Sequence, residues 1–464
     1  MTIQDLVEKL VGKPFEIECS TIKVHGMLDH HPPLFEGPGV IRASEEGKIS
    51  FRMHNQITTS SEALNSLNWF RKEGEGLEPA NHVRIFADDY DGISWSGAWS
   101  IPETVRARGS QSVIAGSFDQ LVTRIPKTAD DKQTNVTELI YGYKLKLPLA
   151  GRLLPSLETV ESFKVKDGEV VSREVLVDSQ DVEFKGAKIS ITRNDAKNRT
   201  HIMAEEREGF KPPLVENWIR DAVVFVTACL VYPRLTIRHF AKDALIFLRA
   251  YPSDTRTGMP PPARTWYWAE VWELFTLYLA KCEESQQFES TDLTRVFQEV
   301  ILASTGTVQA FVLSLALCIE NLIGQLSDGL DLKVADVAQI KELRQYVQQW
   351  QGDEAVKSRA LGLLSMLRAK STSAALNKLE SDGTIEAQHI KTWKKIRPIL
   401  AHGGIIKDPF DPIFWQSRNL LIDMTYKLIY RLIGYHGTAH WLDKFAQHFD
   451  NEEKGETELS QPSG

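Results

Sequence analysis

The feature that most constrains this chain is a change of period near Gly209. Upstream, apolar and polar residues alternate in short stretches such as VRIFADDYDGISWSGAW (83–99) and EFKGAKISITR (183–193), broken at Asp91-Gly92 and Lys185-Gly186. Period-two patterning between such dipeptides predicts hairpins of an antiparallel sheet or sandwich. Downstream, the apolar spacing becomes three and four, as in WYWAEVWELFTLYLAKCEE (266–284), which predicts helices.

The expected fold class is therefore α+β, a β-rich N-terminal half followed by an α-helical bundle. Residues 1–207 form the β-rich domain, in a sensing or regulatory place. Residues 208–290 form a mixed connecting module, with a helix over 214–231 and a strand over 235–251. Residues 291–450 form the bundle, with helices over 291–304, 307–327, 333–350, 354–370, 373–380, 385–402 and 414–434. The polar tail NEEKGETELSQPSG (451–464) is expected to be disordered.

Composition narrows the class. With 42% hydrophobic and 25% charged residues the chain has the balance of a globular protein. A formal charge of -8 argues against a surface built throughout for nucleic acid, although a local basic patch is compatible with it. Cys19, Cys229, Cys282 and Cys318 are dispersed, so no zinc or redox spacing exists, and they read as free thiols of a reducing cytosol. The N-terminus MTIQDLVEKL is amphipathic and acidic, unlike a secretory signal. The apolar runs 222–232 and 310–318 are shorter than the roughly 20 residues that span a bilayer, so a cytoplasmic protein without membrane contact is expected.

Chemistry concentrates in KTWKKIRPILAHGG (391–404). Arg397 and His402 stand five positions apart, a spacing shared by Arg234/His239 and Arg431/His436. Arg234 and His239 lie in a predicted strand, where an odd offset sends them to opposite faces. Arg431 and His436 straddle a helix end, where the dipole alone favours cations. In a straight helix Arg397 and His402 would splay by about 140°. Pro398 is expected to kink or restart the helix and bring them together, with Gly403 and Gly404 as the exit. The residues alone favour the plainer reading, a helix end carrying dipole-favoured cations.

The stretch Arg397-Pro-Ile-Leu-Ala-His402-Gly403, at the end of one amphipathic helix and before another, resembles the Arg-x4–6-His signature of HEPN-domain ribonucleases. The helix FVLSLALCIENLIGQL (311–326), carrying Glu320, also resembles that family's acidic core helix. A β-rich half joined to such a domain is similar to ApeA-type abortive-infection proteins of bacteria. The resemblance implies metal-independent RNA cleavage without a cofactor, in a homodimer, as part of anti-phage defence, with a phage-derived trigger on the N-terminal domain. It implies Arg397 as phosphate clamp, His402 as acid and base, and Glu320 as a supporting residue. The residue types suit these roles, since imidazole exchanges protons near neutral pH and guanidinium grips phosphate through paired hydrogen bonds. Lys394 and Lys395 would extend a basic patch along RNA. A non-catalytic HEPN-like partner in a toxin–antitoxin or defence complex is the alternative, with Pro398 in its favour.

Other candidates carry less. Trp266, Trp268 and Trp272 at helical spacing read as core sooner than as a base-stacking platform. His436, His440 and His448 lack the further ligands of a metal site, and His30 and His31 sit in a proline-rich loop. No phosphate loop, dinucleotide fingerprint or nucleophile elbow occurs.

Overall fold

A computed structural model describes residues 2–11, 14–26, 33–56, 83–108, 111–128, 133–155, 174–194, 197–250, 257–263, 267–285, 290–330, 337–366, 372–401 and 412–437. The chain forms two compact units, Met1–Val223 with Val231–Thr255, and Val224–Leu230 with Arg256–Gly464. The fold class is α+β, a β-rich N-terminal half followed by helices.

The first unit opens with helix α1 (Ile3–Val11). Its strands are β1 (Phe15–Gly26), β2 (Phe35–Ala43), β3 (Ile49–Gln56), β4 (Val83–Asp89), β5 (Ser94–Arg108), β6 (Gln111–Phe118) and β7 (Gln120–Pro126). These are followed by β8 (Val136–Tyr141), β9 (Ala150–Pro155), β10 (Glu174–Phe184), β11 (Ala187–Asn194), β12 (Arg199–Glu205), β13 (Leu235–His239) and β14 (Asp243–Arg249). All belong to one 14-stranded sheet in the order β4-β1-β2-β3-β6-β5-β7-β14-β13-β8-β12-β11-β10-β9. Because β4 also pairs with β5, the first six of these strands close a ring. Strand β5 makes this possible by changing partners along its length: Trp95–Ala98 pair with β7 and Ile101–Arg108 with β6.

Alternation along the strands explains which face is buried. In β4 every odd residue from Val83 to Asp89 is buried and every even one exposed. Helix α1 buries Ile3, Leu6, Val7, Leu10 and Val11, the spacing of one helical face, against the same apolar core. Glu8 on its other side takes a two-pronged contact from Arg199, both bonds at 2.8 Å. The two dipeptide breaks are turns as expected. Gly92 has φ +81°, while Lys185 and Gly186 have φ +49° and +76°, the left-handed pair of a two-residue hairpin.

The stretch 208–290 divides between the units. Helix α2 (Leu214–Thr227) starts in the first and ends in the second, and β13 and β14 join the large sheet. The single strand expected over 235–251 is a hairpin, turned at Phe240–Lys242 and closed by the Phe240 amide donating to the Asp243 carbonyl at 2.9 Å.

The second unit contains α3 (Trp268–Ser285), α4 (Asp292–Ser304), α5 (Val308–Ser327), α6 (Val337–Gln349), α7 (Glu354–Met366), α8 (Thr372–Ser381), α9 (Ala387–Ala401) and α10 (Pro412–Ile433). Thr291 and Thr307 cap α4 and α5 by accepting from the amides of Thr294 and Ala310. Helix α5 is the hub, packing against α4, α8, α9 and α10. At 20 residues it is long and apolar enough to cross a membrane, and it extends well past the apolar run 310–318. Phe311, Leu315, Ile319, Leu322 and Ile323 on it are buried in this unit, which is also how a core helix behaves. Aromatic rings complete the core: Phe225 stacks on Tyr278 at 4.4 Å and meets Phe297 edge-on at 5.6 Å. Tyr430 donates to the Pro262 carbonyl at 2.6 Å.

Candidate functional site

Helix α9 carries most of the candidate residues. Burial runs down one stripe of it, His389 and Trp393, and ends at the half-exposed Arg397. The indole Nε1 of Trp393 donates to the Ala316 carbonyl of α5 at 3.1 Å. One turn further along both helices, Arg397 reaches Glu320. Its Nε donates to Oε2 at 3.1 Å, and its Nη2 donates to Oε1 at 2.9 Å and Oε2 at 3.0 Å. Both side chains are 38% exposed. Glu320 thus grips one edge of the guanidinium, and Nη1 makes no hydrogen bond among the described residues. The edge formed by Nη1 and Nη2 remains open to a second planar or tetrahedral anion. The Trp393 ring lies 5.9 Å from the guanidinium carbon and limits its swing.

Lys394 and Lys395 are exposed on the same helix. His402, Gly403 and Gly404 lie outside the described residues. Helix α9 is a single helix with Pro398 inside it, so the fresh helix start expected at the proline is not found. Pro398 has no N–H to give the Lys394 carbonyl, so the helix carries one missing bond in its last turn.

The other two Arg/His pairs have partners elsewhere or none in common. Arg234 is buried, and its guanidinium donates to the carbonyls of Leu10, Gly47 and Arg249. His239 lies 2.7 Å from Oε1 of buried Glu138, and His201 lies 2.8 Å from Oε2 of the same carboxylate. Burial pushes the Glu138 carboxyl up, but the two imidazoles outweigh it and hold the group below the usual carboxylate range. Arg431 and His436 are both exposed. Trp272 is buried against Phe275, while Trp268 is exposed. Trp266, His30, His31, His440, His448 and the tail 451–464 lie outside the described residues.

A second cluster, which sequence reasoning missed, stands at the start of α9. The Glu386 amide donates to Nδ1 of His389 at 3.0 Å. A side chain three residues into a helix is thereby satisfying the capping residue's backbone donor, the place usually taken by Glu or Gln. With Nδ1 an acceptor, the neutral imidazole carries its proton on Nε2, which lies 2.9 Å from Oδ2 of Asp423 on α10. Both side chains are shut away from water, at 0% and 1% exposure. Lys427, one turn beyond Asp423, puts its ammonium 3.1 Å from that carboxylate and 2.6 Å from Glu386. Burial lowers the Lys427 pKa, but the Asp423 and Glu386 charges win and raise it, while Lys427 holds Glu386 down.

Glu386, His389 and Asp423 offer ligand atoms within 4.8 Å of one another, close enough for a metal. Two features argue against one. The Lys427 ammonium already stands where the cation would. A metal on Nε2 would also drive the proton to Nδ1, against the Glu386 amide. The arrangement fits a charge-compensated helix anchor. Its one readable signal was Asp423 and Lys427, four apart in the otherwise apolar LLIDMTYKLIY. The four cysteines are free, and burial pushes the thiols of Cys19 and Cys318 up to about 12, so neither is a nucleophile. Compared with known proteins, the chain matches no family model, no curated protein and no solved structure.

Proposed function

We propose that this chain is a metal-independent endoribonuclease of the HEPN type, the effector of a bacterial abortive-infection system acting in the cytoplasm as a homodimer. Arg397 clamps the scissile phosphate, and His402 exchanges a proton with the ribose 2′-hydroxyl or the leaving 5′-oxygen. The 2′-oxygen attacks phosphorus as the bond to the 5′-oxygen breaks, leaving a 2′,3′-cyclic phosphate and a free 5′-hydroxyl. Lys394 and Lys395 attract the RNA backbone. The N-terminal unit takes the trigger, of phage origin in this reading.

The observation that supports this most is the two-pronged hold of Glu320 on Arg397. It holds the guanidinium by its Nε–Nη2 edge and leaves Nη1 without a hydrogen bond among the described residues, as a phosphate clamp requires. The same contact favours a second reading, a non-catalytic HEPN-like partner, because Glu320 already compensates the charge of Arg397.

Incubation of the full chain with RNA in the presence of a chelator separates the two. The enzyme reading expects cleavage with cyclic-phosphate ends, none of a DNA of the same sequence, and loss of cleavage in Arg397→Ala and His402→Ala. RNA left intact by the wild type, or cut equally by both variants, overturns it. Cleavage lost instead in Arg431→Ala and His436→Ala assigns the chemistry to the other pair.

A further inference from the structure

Helices α6 and α7 form a hairpin unlike the rest of the helical unit. Of their described side chains only Ile340 and Leu364 are buried. The hairpin nevertheless carries Leu343, Tyr346, Trp350, Val356 and Leu363, all exposed, with Tyr346 at 72%. Leu343, Tyr346 and Trp350 follow one another at three- and four-residue spacing and Val356 and Leu363 at seven, so each helix carries an exposed apolar stripe, not scattered surface residues. With aromatic residues offering about 150–250 Å² each when covered, the face presents on the order of 500 Å², at the upper end of what a monomer leaves open.

The charges on the hairpin are arranged by position. At the tip stand Asp353 and Glu354; along the stem stand Lys341, Arg344, Lys357 and Arg359 against the single acid Glu342. Lys357 turns to Glu354 at 3.6 Å, which leaves Lys341, Arg344 and Arg359 in excess on the stem. A surface acidic at one end and basic at the other complements a copy of itself turned end for end. Two-fold pairing, in which one patch meets the same patch, has this geometry.

We propose that the α6–α7 hairpin is a self-association surface, on which a second copy of this chain packs its own hairpin antiparallel to make a four-helix bundle. Tyr346 and Trp350 of each copy cover the apolar face of the other, and Lys341 and Arg344 of one meet Asp353 and Glu354 of the other. The five apolar side chains alone remove on the order of 1,000 Å² from water over the two copies, the size at which specific interfaces begin. The surface rests on the homodimer of the proposed function, to which it gives an interface, but it uses neither Arg397 nor His402, so RNA cleavage by the chain is read separately from its association.

Sedimentation of the full chain across roughly 1 to 100 µM tests it, a range that brackets dissociation constants near a micromolar. The wild type is expected at twice the chain mass over most of that range. Leu343→Glu with Tyr346→Glu, both at exposed positions, is expected to weaken the dimer at least about 30-fold with unchanged circular dichroism. Lys341→Glu with Arg344→Glu is expected to weaken it as well, and addition of Asp353→Lys with Glu354→Lys to restore it, since each stem then meets a tip of opposite sign. A wild type that stays monomeric overturns the proposal and leaves the face to a different protein. A dimer that survives the Leu343 and Tyr346 substitutions also overturns it, as does a charge pair that fails to rescue.

Discussion

Arg397 offers the Nε–Nη2 edge of its guanidinium to Glu320, and its Nη1 makes no hydrogen bond among the described residues. The two residues come from different helices, yet the pairing follows directly from a packing contact one turn earlier, where Trp393 bonds the Ala316 carbonyl. A buried indole thus sets the register of α9 on α5, and the half-exposed ion pair inherits it. The geometry makes Glu320 an orienting group, which separates its expected effects from those of Arg397 itself.

Replacement of Glu320 by Ala is expected to lower kcat for RNA cleavage by about 10- to 100-fold with KM changed less than about threefold. Lost orientation acts on the reacting geometry and not on ground-state attraction. Because the pair is over one-third exposed, stability is expected to change by no more than about 1 kcal/mol. Steady-state kinetics and urea unfolding check both halves. A KM effect that dominates would make Glu320 a binding residue instead.

The anchor at the start of α9 is expected to behave oppositely, with a large effect on stability. Asp423→Ala strips a buried carboxylate from between buried His389 and partly buried Lys427, and is expected to cost about 3–5 kcal/mol. At about 2–4 °C per kcal/mol for a unit of this size, the melting transition falls by about 6–20 °C. His389→Gln, which keeps an acceptor for the Glu386 amide, should recover about 1 kcal/mol over His389→Ala. Calorimetry of the four proteins decides. Equal losses in Gln and Ala would refute the capping role.

Legibility followed the range of each interaction. The alternation of buried and exposed residues in β4 and the turns at Gly92 and Lys185–Gly186 are local, and each stood in the sequence, as did helices beginning at Thr291 and Thr307, which the structure shows to be their caps. The turn between β13 and β14 carries Phe240, Ala241 and Lys242, with neither Gly nor Pro, so two strands read as one. Ring closure depends on β1 reaching β4, a pairing between residues far apart in the chain that no local pattern records. The same holds at the candidate site. Arg397 and Glu320 lie in a recognisable stretch and helix, whereas His389 and Asp423 become partners only once α9 lies on α10. Pro398 reads as a kink or a fresh helix start in the sequence, and the fold has one helix running through it. A proline acts on the turn that precedes it, by withholding a donor from the Lys394 carbonyl, and packing of α9 on α5 and α10 keeps the helix running to Ala401.

Lys394 and Lys395 are exposed and their expected work is electrostatic. Replacing both by Gln should reduce the slope of log affinity against log salt by about 0.7 for each phosphate of single-stranded RNA that they neutralise. Binding should weaken about equally for unrelated sequences, because phosphate contacts carry no base information. Fluorescence anisotropy over a salt series with the Arg397→Ala protein, which is not expected to cut, gives the slopes. Identical slopes with and without the lysines would mean that they form a solvated face and nothing more.

Glu138 supplies a pH dependence of defined sign. Burial raises its pKa, and the imidazoles of His201 and His239, at 2.8 and 2.7 Å, reverse that and leave it lowered. A carboxyl whose folded pKa lies below its unfolded value near 4.5 stabilises the fold fully above that value. The contribution is lost as pH falls through the folded pKa. Wild type is therefore expected to lose more stability than Glu138→Gln on going from about pH 6 to pH 3, and the two curves should converge at the acid end. Glu206, beside Thr137, works with the opposite sign because burial raises its pKa, so the difference between the proteins isolates Glu138 where the absolute curve does not. Chemical unfolding of the first unit at several pH values measures it. Parallel curves would show that the two histidines hold Glu138 by shape alone, as neutral hydrogen-bond donors, and that no proton is linked to folding at this carboxylate.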